Sequence, residues 1–202
     1  MSISQIGCAP ALISRRAVLN AIMAVPVLWG LGAREGRNKV RSGSPQAGAA
    51  ADGAMVTVMR FSAAGEELGP AQVPRVVKSD AQWRRQLTAV QYLITRQGRD
   101  EPAFAGVYTT FRGRGIYNCV CCGNALFGSD TKYDAGTGWP SFWAPLAREN
   151  IWTRPNPAGS VEVLCRRCDA HLGELYRDGP PPTRQRYSVD SAALVFVAAA
   201  TA

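Results

Sequence analysis

The chain has one histidine, His171, and three lysines against twenty arginines. A lone histidine more often fills a satisfied structural position than a catalytic one. No internal repeat is present, which excludes a stacked-repeat architecture. A convincing membrane span is also missing: the apolar run 17–33 is 17 residues long, is broken by Asn20 and Pro26, and stands at the short limit for crossing a bilayer. What is there suffices for one globular domain and a tail, with 202 residues of which 47% are hydrophobic.

Cysteine carries the strongest signal. Cys119 and Cys122 form one Cys-x-x-Cys pair, and Cys165 and Cys168 form a second after 42 intervening residues. Each such knuckle turns two sulfurs toward one point, and soft thiolates in a set of four suit a tetrahedral zinc ion. Two disulfides or free thiols are the alternative. Four thiolates leave no open position for water, so the metal is read as structural. Cys121 is spare.

The formal charge of +8 raises the question of nucleic acid. Residues 1–54 hold six basic against two acidic side chains, and residues 55–202 hold seventeen against thirteen. A zinc ion on four thiolates adds roughly −2, leaving the folded part near about +2. That is no footprint for a nucleic-acid protein, and none is expected as a partner.

Ser14-Arg15-Arg16-Ala17-Val18-Leu19 precedes the apolar run. Paired arginines before such a run read as a twin-arginine export signal over 1–33, placing the protein in a bacterial periplasm. An uncleaved inner-membrane anchor facing the periplasm is the alternative. Residues 34–54, rich in Gly, Ala, Ser and Arg, read as a flexible linker, and 55–202 as the domain. A zinc site assembled before export would escape oxidation to disulfides. Cys8 would leave with the leader.

Within the domain, alternation predicts a strand over 56–61, and 73–77 is expected to continue the sheet. Ser79…Gln82 and Thr88…Gln91 match capping boxes for two short helices, through Leu87 and to near Arg96. Beyond Gly98 the chain reads as short strands and loops, with strands at 161–164 and 184–190 and a final buried strand at 193–198. The fold class is α+β, mainly β. Period-two geometry puts Arg186, Ser188 and Asp190 on one strand face, either at a solvent edge or lining a pocket.

The segments KSDAQW, YNCVCCGNALF, GTGWPSFW, CRRCDAHLGELYRDGPPPTRQRYSVDS and ALVFV together resemble the B-type peptide methionine sulfoxide reductases, over roughly 56–197. The resemblance implies two antiparallel sheets with small N-terminal helices, a structural zinc on Cys119, Cys122, Cys165 and Cys168, and reduction of the R epimer of methionine sulfoxide in proteins or peptides. In that chemistry a thiolate attacks the sulfoxide sulfur, and a second thiol or a thioredoxin-like reductant restores the enzyme. A monomer is expected.

The resemblance also locates a site, and here the chain departs from the pattern. The family's Arg-x-Cys-x-Asn reads Arg186-Tyr187-Ser188-Val189-Asp190, so Ser188 takes the nucleophile position. Its His-Leu-Gly-His reads His171-Leu172-Gly173-Glu174. The resolving-cysteine position before Gly-Trp-Pro-Ser-Phe is Thr137. Trp139 and Phe142 are implied as an apolar cage for the methionine methyl, and His171, Glu174, Arg186 and Asp190 as its polar surround; Arg186 is a candidate ion-pair partner of Glu174 or Asp190. A serine cannot form a sulfenic acid or a disulfide. Three readings follow: a reductase of unusual chemistry, a pseudoenzyme binding methionine sulfoxide or a related ligand, or a zinc-ribbon interaction module.

Overall fold

The computed structural model describes residues 53–156 and 159–199. The expected export signal over 1–33 and nearly all of the expected linker over 34–54 lie outside the described residues. The described chain opens with a hairpin of β1 (Met55–Phe61) and β2 (Glu67–Pro74), then two helices, α1 (Asp80–Gln86) and α2 (Ala89–Gln97). Val56 and Val58 turn inward on β1, as their alternation requires. The expectation that 73–77 continues the sheet is corrected: Val73 pairs with Val56, but pairing ends at Pro74. Past it the Val76 amide bonds instead to the Arg167 carbonyl, and Val77 is exposed.

Both capping boxes are formed. Ser79 and Gln82 satisfy each other's backbone donors at α1, and Thr88 and Gln91 do so at α2. Each cap is worth about 1 kcal/mol, which matters for helices too short to persist alone. The α2 helix ends at Gly98 in the left-handed conformation. Trp83 and Leu87 are buried together, with arginine Arg96 over the Trp83 ring.

The rest is β. One antiparallel sheet of six strands contains, in order, β5 (Lys132–Tyr133), β6 (Ser141–Phe142), β10 (Arg186–Val189), β9 (His171–Tyr176), β8 (Val161–Cys165) and β7 (Ile151–Pro155). A second has β11 (Leu194–Ala198), β3 (Gly115–Cys119) and β4 (Ala125–Gly128). The final strand is not buried as expected. It is the edge of its sheet, with Leu194 inside and Val195 exposed.

Aromatic rings join the sheets. Phe127 of β4 stacks on Phe142 of β6 at 4.5 Å, and Tyr117 of β3 meets Phe142 edge-on at 5.2 Å. Such pairs add about 0.5–1.5 kcal/mol each beyond their buried area. Asn150, in a 3₁₀ turn over Arg148–Asn150, fastens the hairpin to this core. Its side chain accepts from the Met59 amide at 2.7 Å and donates to the Met59 and Ala125 carbonyls at 2.8 Å.

No helix among the described residues is long and apolar enough to cross a membrane.

Candidate functional site

The zinc knuckles occupy two turns, one between β3 and β4 and one between β8 and β9. The sulfurs of Cys119, Cys122, Cys165 and Cys168 all lie within 4.8 Å of one another. The Cys119–Cys168 and Cys122–Cys165 separations are both 3.6 Å. A tetrahedron with zinc–sulfur bonds of about 2.3 Å has edges near ~3.8 Å, so the four fit one ion. They are not disulfides, because a bond requires about 2.05 Å. Around them, Arg96 donates to the Cys168 carbonyl at 2.9 Å, Arg167 to that of Cys122 at 3.3 Å, and Asn124 reaches the Cys165 sulfur at 3.8 Å. Such outer contacts orient ligands and offset their charge. Cys121 is buried at this knuckle, its carbonyl covered by Gln86.

A cleft of about 240 Å³ opens on the face of β9 and β10. Register explains it. Ser188 on β10 stands between Ser141 on β6 and Glu174 on β9. With Arg186 and Asp190 it faces the cleft, so this polar strand face lines a pocket. Gly173 lets β9 approach that closely: its φ is +142°, and a Cβ there would lie 2.0 Å from the Ser188 carbonyl oxygen. Trp139 and Thr137 also line the cleft. Gly138 positions them, since a Cβ at its φ of +93° would collide with Ala103 and Phe104.

Phe142 is not part of this lining. It is fully buried in the aromatic core, so the apolar side of the cleft falls to Trp139. Arg186 pairs with neither Glu174 nor Asp190. Its guanidinium grips Asp178 through two hydrogen bonds of 2.9 and 2.8 Å and lies over the Tyr176 ring. Glu174 accepts from Ser160 at 2.6 Å and from the Tyr176 hydroxyl.

His171 sits beneath the cleft. Its Nδ1 meets the Glu162 carboxylate at 2.8 Å, and Glu162 is held in turn by Arg154 at 2.6 Å. Burial opposes a charged ring, but the Glu162 hydrogen bond and the carboxylates of Glu162, Asp190 and Asp100 outweigh it and raise the histidine pKa. Asp190 is pushed up to about 7, chiefly by burial.

Sequence reasoning missed Glu101. Its carboxylate accepts from the Ser191 and Ala192 amides at 2.6 and 3.2 Å, its amide donates to Asp190 at 2.9 Å, and its carbonyl accepts from the Trp139 indole at 3.0 Å. One residue thus ties Asp190 and Trp139 of the cleft lining together. Partners ninety positions away leave no local pattern to read.

Two antiparallel sheets stapled by a four-cysteine knuckle, with a tryptophan-walled cleft on β9 and β10, define a zinc-bearing mainly-β domain. Residues 87–198 match the SelR domain. The chain is 50% identical over 125 residues to a peptide methionine sulfoxide reductase MsrB of Hahella chejuensis, covering 60% of this chain and 90% of that protein. The MsrB of Synechococcus sp. strain RCC307 is 47% identical over 124 residues, covering 60% and 91%. That of Herminiimonas arsenicoxydans is 45% identical over 125 residues, covering 60% and 91%. The chain belongs to the B-type peptide methionine sulfoxide reductase family.

Proposed function

We propose that this chain binds oxidised methionine side chains of peptides and proteins in the Ser188 cleft and does not reduce them by the family's thiol route. The observation that carries this reading is the placement of sulfur. Among the described residues all five cysteines lie at the zinc knuckles, and none lines the cleft. Four are taken as ligands, and Cys121 is buried beside them. The cleft has instead the Ser188 hydroxyl, whose proton is far less acidic than that of a thiol with its ordinary pKa of about 8.5.

Other features support retained binding. The Trp139 face is an apolar surface for a thioether-sized group. Thr137 Oγ1 is buried at the cleft without a hydrogen-bond partner, and an unpartnered hydroxyl there suits a polar ligand such as a sulfoxide oxygen. The carboxylates of Glu174 and Asp190 would disfavour a thiolate beside them. Zinc, when bound, staples the domain and takes no part in this recognition. We further propose export to a bacterial periplasm by the twin-arginine leader, 34–54 acting as the tether, and a monomeric domain. A thioredoxin-like reductant would have no oxidised thiol to reduce in the cleft.

The test is calorimetric titration of the zinc-loaded protein with R and S methionyl sulfoxide peptides, alongside product analysis with dithiothreitol. Binding of the R epimer without methionine formation supports the reading. Methionine formation, or no binding of either epimer, overturns it.

A further inference from the structure

Beneath the cleft, three potential ligand atoms converge that neither the zinc knuckles nor sulfoxide recognition requires. His171 Nε2 lies 3.7 Å from Asp190 Oδ2 and 3.7 Å from Asp100 Oδ1. All three atoms fall within 4.8 Å of one another. His171 and Asp190 are only 6% and 1% exposed, yet Nε2 and Oδ2 have no hydrogen-bond partner. Burying two such atoms unpaired is costly.

The hydrogen-bond pattern says what is missing between them. Glu162 is bound to Arg154 and lies 2.8 Å from His171 Nδ1, so it accepts from Nδ1–H, and in the neutral ring Nε2 presents its lone pair. Asp190 Oδ1 is already engaged by the Glu101 amide, so Oδ2 turns toward Nε2. An asparagine, which the family resemblance places here, would offer an N–H to that lone pair. Aspartate offers a second acceptor. With the ring neutral, two acceptors face one gap, which a cation would fill.

We infer that His171, Asp190 and Asp100 form a site for a divalent transition-metal ion at the base of the cleft, distinct from the cysteine zinc. An imidazole with carboxylates suits zinc, iron, cobalt or manganese. Metal–ligand bonds of about 2.1 Å place tetrahedral ligand atoms near ~3.4 Å apart, a few tenths of an ångström less than the two 3.7 Å separations of His171 Nε2 from the carboxylates. The contraction is open to Asp100, which lies on an exposed loop. Glu162 supplies the carboxylate behind the histidine that orients a metal-binding imidazole. Three protein ligands leave a fourth coordination position for water or a ligand. The inference does not rest on sulfoxide binding, and its readout is metal content.

The full-length zinc-loaded chain is dialysed against micromolar cobalt(II), followed by metal analysis and visible spectroscopy. The expected result is one cobalt beyond the single zinc, with d–d bands and no thiolate charge-transfer band. Asp190→Asn, which keeps the acceptor for the Glu101 amide, and Asp100→Asn, at an exposed position, each weaken cobalt binding more than ~100-fold while zinc content stays at one. Glu162→Gln weakens it about tenfold. No cobalt beyond the zinc, a charge-transfer band showing cobalt on cysteine, or affinity unchanged in both aspartate variants would overturn the site. In each of those results the gap is filled by a proton alone.

Discussion

The zinc knuckles and the cleft are neighbours on the same strands, since β9 leaves the second knuckle at Cys168 and reaches the cleft wall by Gly173. Their polar groups are treated in opposite ways. At the knuckles four sulfurs converge on one point, and arginines occupy the carbonyls of Cys122 and Cys168. At the cleft, Thr137, His171 and Asp190 each bury an atom with no partner. A satisfied cluster holds a fold together, whereas unpartnered atoms gathered at a cleft are candidates for a ligand. The difference separates what staples the fold from what we propose serves recognition, on strands that carry both.

The largest expected effect falls on the stapling side. Cys165→Ser, or removal of zinc by a strong chelator, is expected to abolish cooperative unfolding in circular dichroism, because such sites supply roughly 10–16 kcal/mol of apparent binding energy. Ser188→Ala should change stability by under ~1 kcal/mol in the same measurement. Comparable losses at both positions would erase the contrast.

Asn150→Ala comes next, with a cost of about 3 kcal/mol in urea unfolding. The variant strands the Met59 amide and two carbonyls at partly buried positions. Sulfoxide binding by the folded variant should persist. Trp139→Ala should do the reverse, weakening R-sulfoxide peptide binding about tenfold in calorimetry while zinc content stays unchanged. The smallest effect is expected from Asp178→Asn, under ~1 kcal/mol at neutral pH, since this carboxylate is mostly exposed. The Arg186 hydrogen bonds lower its folded pKa, so its contribution exists above the ordinary carboxylate range and disappears as pH falls through the lowered value. Thermal melts of variant and parent should therefore converge in acid.

How much of this could be read beforehand follows from the range of the interactions. The capping boxes at Ser79 and Thr88 and the paired cysteines are local spacings, and both were legible. The Arg186, Ser188 and Asp190 face was legible as a stripe, though only the packing of β9 against β10 decided that it lines a cleft. Phe142 was assigned to the cleft from its motif; register opposite Tyr187 turns it into the core instead. Arg186 found Asp178 across the turn after β9, outside the two carboxylates considered for it. Glu101, Asn150 and Glu162 were illegible because each works through partners fixed by the tertiary fold. Asp100 stood in no motif at all.

The most direct test of the central claim compares the zinc-loaded parent with Ser188→Cys on R-methionyl sulfoxide peptide, with dithiothreitol as reductant and methionine as the product measured. The account predicts no methionine from the parent and turnover by the cysteine variant, slowed by the carboxylates of Glu174 and Asp190, because the cleft is intact and regains its thiol. Turnover by the parent, or none by either protein, would contradict it.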